Sequence, residues 1–85
     1  MDQNIPPQVP NAFRIAISLD QPEPRLDNIL LNALREQTEH PTLKIISRGA
    51  LKKLFAEKKI MIKGQNARPA SALARGTTYV DILGY

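Results

Sequence analysis

The chain has 85 residues, no cysteine, and twelve Lys and Arg against eight Asp and Glu, for a formal net charge of +4. That length allows one small domain with a modest core, burying about 60 % of the surface its unfolded chain exposes. Without cysteine there is neither a disulfide framework nor a thiolate metal site, which fits a reducing, cytoplasmic setting.

No stretch approaches the roughly 20 apolar residues that span a bilayer. The N-terminus MDQNIPPQVPNAF lacks the cations and apolar run of a signal peptide, so no membrane partner is expected. Residues 1–12 hold Pro6, Pro7 and Pro10 and little apolar material, which predicts a flexible or extended arm ahead of a single domain over residues 13–85.

From Phe13 to Ser18 the residues alternate, placing Phe13, Ile15 and Ile17 on one face of a short strand. Pro22 and Pro24 end it. In RLDNILLNALREQ, Leu26, Ile29, Leu30, Ala33 and Leu34 form the stripe of an amphipathic helix. Pro24 suits its first turn, and Glu23 and Asp27 suit the positive end of its dipole. Thr38 to Ile46 reads as a connection interrupted by His40-Pro41.

Ser47 is a natural N-cap for a second helix, in which Leu51, Leu54 and Phe55 face the core. At about 100° per residue, Arg48, Lys52 and Lys59 project within about 40° of one another, although Lys59 stands near the helix end. Lys53 and Glu57 point elsewhere. Ile60 to Ile62 is a short strand, Lys63 to Asn66 a turn, Pro69 to Gly76 a loop and Tyr79 to Leu83 a closing strand. This order predicts a small α+β domain, two helices packed on a mostly antiparallel sheet.

Charge is divided unevenly along the chain. Lys44 to Arg75 carries nine cations against Glu57 alone, whereas residues 1–43 carry three cations and six acids. A basic half of this kind attracts a polyanion. The bland alternative is a solvated helix face whose lysines stay wet. Two features weigh against it: the acids that would interleave are missing, and the charge continues into Lys63 and Arg68.

Catalytic patterns are weak. His40 is the only histidine and precedes a proline, so it reads as an exposed loop residue. No Cys/His cluster has zinc spacing, and no second histidine could complete a triad. Asp27 is explained by helix electrostatics, and the four glycines are too scattered for a phosphate-cradling loop. The expectation is therefore no enzyme, no metal and no cofactor. A helix-turn-helix needs a turn of about three or four residues, which Thr38–Ile46 exceeds. With Phe13 and Phe55 on apolar faces, an aromatic stacking platform also fails.

The ordered set Arg25-Leu26-Asp27, then Ser47-Arg48-x-Ala50-x-Lys52-Lys53-Leu54, then Ile60-x-Ile62-x-Gly64, then Ser71 and Gly76 resembles the S-four domain. That RNA-binding module is named after a ribosomal small-subunit protein. It also occurs in pseudouridine synthases, tyrosyl-tRNA synthetases and a small ribosome-associated heat-shock protein. The resemblance covers about residues 25–83. It implies an αL-type fold in which the second helix and the following hairpin form one basic surface against structured RNA.

Carried onto this chain, the resemblance makes Ser47, Arg48, Lys52, Lys53, Lys63, Gln65 and Arg68 the expected RNA-binding residues. Leu26, Leu30, Leu51, Leu54, Ile60 and Ile62 match its core. The chain departs from the pattern in a longer linker between helices. Lys58 stands where a helix-ending glycine is usual, Lys63 where the turn asparagine is usual, and Thr77 where an aspartate follows Gly76. The expected partner is ribosomal or transfer RNA. The rival expectation is a protein-interaction module that docks an acidic partner or self-associates, since cations attract acidic proteins as well as phosphates.

Overall fold

The computed structural model describes residues 10–85. Over residues 1–9 the expected arm lies outside them, and Ala12 already pairs with Leu83 in the first strand. In chain order the elements are β1 (Ala12–Leu19), α1 (Leu26–Glu36), α2 (Pro41–Lys44), α3 (Arg48–Ala56), β2 (Ile60–Ile62), β3 (Gln65–Asn66) and β4 (Gly76–Leu83). Four antiparallel strands form one sheet in the order β1-β4-β2-β3. The α+β class expected from the sequence holds, with three helices rather than two.

Strand alternation sorts the sheet into two faces. Phe13, Ile15 and Ile17 of β1 stand opposite Ile82, Val80 and Thr78 of β4, and Ile60 of β2 lies across from Ile82. Ile15, Ile17, Ile60, Val80 and Ile82 are buried on this inner face, against the helices. β4 starts at Gly76, three residues earlier than its apolar pattern, because β1 supplies partners back to Leu19. The Ser18 and Thr77 hydroxyls meet there at 3.1 Å.

Helix α1 buries Leu26, Leu30 and Leu34 completely, and Leu31 joins them. Ile29 and Ala33 are only partly buried, at the margin of a groove beside β1. Truncating Leu30 or Leu34 to alanine would cost about 2–5 kcal/mol. The start of α1 is closed by backbone instead of a side-chain cap. The Leu26 and Asp27 amides donate to the Ser71 and Pro69 carbonyls at 2.9 and 3.0 Å. Glu23 and Leu73 exchange two further backbone bonds. The apparent loop Pro69–Gly76 therefore clamps the first helix.

The connection before α3 contains the turn of helix α2, with Pro41 in its first turn and Leu43 fully buried. A single turn is too short to display a helical period. Ser47 caps α3 as its sequence predicts, its hydroxyl accepting from the Ala50 amide at 3.0 Å. Leu51, Leu54 and Phe55 are the buried residues of α3. Among the described residues no helix is long and apolar enough to cross a membrane.

Candidate functional site

The N-terminal turns of α1 and α3 approach each other, and the cations of α3 start there. Arg48 donates from Nη1 to Oδ1 of Asn28 at 2.7 Å, which ties α3 to α1 and orients the guanidinium. Lys52, one turn further on, shares its face. Together they border a cavity of about 220 Å³ whose other walls are Arg25, Asp27, Leu51, Phe55 and Pro69. Lys53 is exposed on α3 but does not line this cavity.

Lys59 falls outside the helix, since α3 ends at Ala56. The Lys58 amide donates to Phe55 O and the Lys59 amide to Leu54 O, each at 3.0 Å. These two bonds form a Schellman turn around a left-handed Lys58 with φ 62°. The helical projection that grouped Lys59 with Arg48 and Lys52 therefore does not apply. Lys59 instead faces Glu57 at 3.5 Å on the surface.

The hairpin between β2 and β3 turns at Lys63 and Gly64, both with positive φ (53° and 77°), as a type I′ turn requires. Lys63 and Gln65 border a second, shallower concavity of about 290 Å³, shared with Ser71 and Ala72. Arg68 is exposed at a closed turn, its amide donating to Ser71 Oγ at 2.8 Å. The seven expected residues thus form two groups: Ser47, Arg48, Lys52 and Lys53 on α3, and Lys63, Gln65 and Arg68 on and after the hairpin. Between them runs the chain from Ala67 to Ala72, with Pro69 on the first cavity and Ser71 on the second.

Some of the other cations are engaged locally. Lys44 donates from Nζ to the Arg35 and Gln37 carbonyls at the end of α1, so it serves that helix terminus. Arg25 grips Asp27 through two bonds of 3.1 and 3.0 Å. The Arg25 bonds, helped by the Asn28 amide and the nearby charges of Arg25 and Arg48, hold the Asp27 carboxyl below its usual range despite some desolvation. Among the described residues, Arg48, Lys52, Lys53, Lys58, Lys63 and Arg68 make no ion pair, and neither does the exposed Arg75 outside these two groups. Two of these six, Lys58 and Lys63, hold left-handed backbone that costs a non-glycine residue about 1–2 kcal/mol.

Sequence reasoning omitted Arg25, Asn28 and Pro69 from this site. Arg25 and Asn28 could have been found, because they flank the Asp27 turn at the helix start. Nothing local in the sequence brings Pro69 there. On the outer face of the sheet, Arg14 makes a two-pronged pair with Asp81 at 2.8 and 3.0 Å and lies 5.6 Å from the Tyr79 ring centroid. Strand alternation puts both residues outward, but only the register makes them neighbours.

His40 is half-buried rather than exposed. Its Nδ1 accepts from the Leu43 amide at 3.3 Å, and its ring lies 5.3 and 5.5 Å from those of Phe13 and Tyr85. Among the described residues no three His, Cys, Asp or Glu cluster as metal ligands would. Comparison of the chain with protein-family models, curated proteins and solved structures gave no match.

Proposed function

We propose that the chain is a non-catalytic, S-four-type domain that binds structured RNA, ribosomal or transfer RNA, along the edge formed by α3 and the β2–β3 hairpin. The observation that carries this reading is the set of six cations on this edge that form no direct ion pair, Arg48, Lys52, Lys53, Lys58, Lys63 and Arg68, on backbone that is capped and hydrogen-bonded. A surface that only needed to stay wet would have no reason to keep lysine at two left-handed positions. Strain of this sort gathers at functional sites.

The same two positions support the family resemblance. Where the S-four pattern ends its helix with glycine, Lys58 has positive φ; where the pattern turns on Asn-Gly, Lys63 and Gly64 both have positive φ. The backbone thus keeps the conformation that the usual residues favour, although the side chains differ. Of the residues matched to the family core, Leu26, Leu30, Leu51, Leu54 and Ile60 are buried, whereas Ile62 is only partly buried.

Duplex DNA fits less well. Among the described residues no element presents itself as an obvious major-groove reader. Phosphate contacts dominate the energetics, with Gln65 a polar contact beside Lys63. Replacing Arg48 and Lys52 together by glutamate should abolish binding to a tRNA or an rRNA stem-loop while thermal unfolding stays cooperative. An unchanged affinity in that folded double variant would remove the proposed surface.

A further inference from the structure

The cavity between α1 and α3 has a composition that phosphate binding alone does not explain. Its apolar wall is made by Leu51, Phe55 and Pro69, and its rim by Arg25, Arg48 and Lys52. One carboxylate, Asp27, also faces it. At about 220 Å³ it lies below the range of roughly 300–1,000 Å³ that suits drug-sized ligands, so it has room for about one ring system. Apolar walls beneath a ring of cations match a flat, partly apolar group attached to an anion. A nucleobase carried by its own phosphate is such a group.

The polar groups narrow the choice. Asp27 Oδ1 accepts from Arg25 Nε at 3.1 Å and from the Asn28 amide at 2.9 Å, and Oδ2 accepts from Arg25 Nη2 at 3.0 Å. An ionised carboxylate offers about four acceptor positions, which leaves one on Oδ2 for a base N–H. Arg48 uses Nη1 on Asn28 and keeps its other donors. Guanine presents N–H donors on one edge and the O6 and N7 acceptors on the other, and arginine pairs well with O6 and N7. The exposed Arg25 guanidinium offers a flat face on which a base can stack.

We infer that this cavity takes one unpaired purine, with guanine the best match, from an RNA whose paired stem lies along the basic edge. The inference rests on the RNA-binding reading above and adds a base-reading element to it. The RNA held here is then a stem interrupted by a bulge or ending in a loop, because a base within a continuous helix cannot leave its stack without cost.

The test uses the full chain and two hairpin RNAs with the same stem, one fully paired and one with a single bulged guanine. The bulged RNA should bind on the order of tenfold tighter, the gain expected from stacking one base. A bulged uracil should gain less. In Arg25→Ala, which removes the exposed guanidinium on which the base would stack, the preference should shrink to about twofold or less. Equal affinity for the bulged and paired stems would overturn the base pocket while leaving the RNA surface standing. No binding to either RNA would overturn both.

Discussion

Replacing Lys58 by glycine should stabilise the protein although it removes a side chain and adds none. The Schellman turn at the end of α3 uses the amides of Lys58 and Lys59, and Asn66 Nδ2 donates to the Lys58 carbonyl at 3.0 Å. None of these bonds needs the Lys58 side chain, so glycine keeps all of them. Relief of left-handed strain is worth about 1–2 kcal/mol, and the greater freedom of glycine in the unfolded chain offsets about 0.4–1 kcal/mol of it. At the middle of these ranges a net gain of about 0.8 kcal/mol remains, which for a domain of this size raises Tm by roughly 3–6 °C. Urea unfolding should show a higher midpoint at unchanged slope. Lys58→Ala is the control, since it removes the same charge but keeps the strain. If alanine stabilises as much as glycine, relief of charge repulsion is the cause and the backbone argument fails; it fails equally if glycine is neutral or destabilising.

Other substitutions test other parts of the account. Ser47→Ala should cost about 1 kcal/mol in urea denaturation by removing the cap of α3. Arg14→Ala leaves Asp81, 3 % exposed, without its guanidinium and should cost about 1–3 kcal/mol by the same assay. Gly49→Ala should stabilise by no more than about 0.5 kcal/mol, since a Cβ there meets nothing within 4 Å but the residue lies in the first turn of α3, where the mid-helix cost of glycine is only partly felt. The depressed Asp27 pKa gives a signed pH dependence. A carboxyl whose folded pKa lies below its unfolded value contributes stability that is fully present above the unfolded value and lost as pH falls through the folded one. The stability gap between the wild type and Asp27→Asn should therefore be constant from about pH 5 to 7 and shrink below about pH 4.

The parts of the fold governed by local rules were legible in the sequence. Alternation from Phe13 to Ser18, the leucine stripe of α1 and the Ser47 cap each follow from neighbours a few residues apart, and each element formed where expected. Helix α2 was missed because one turn around Pro41 carries no period. The early start of β4 was missed because Gly76 to Thr78 are recruited by β1. Lys59 was misplaced by extending a helical projection past a left-handed residue, where the chain has already turned. At the site, the cations are plain in the sequence, but their grouping depends on distant pairings. Arg48 reaches Asn28 twenty positions away, and Pro69 arrives at the cavity only because its carbonyl caps α1. The Arg14–Asp81 pair was out of reach for the same reason, as strand register is settled by the whole sheet.

The central claim, that the α3 and hairpin edge grips RNA phosphates, is tested most directly by the salt dependence of binding to a structured RNA such as tRNA. Engagement of about four phosphates predicts a slope of log affinity against log salt near −3 to −4, using roughly −0.9 for each duplex phosphate. Reversing Arg48 and Lys52 should remove two of those contacts and, at moderate salt, all measurable binding. A slope near zero, or no binding even at low salt, would contradict the account and leave these cations to an acidic protein partner.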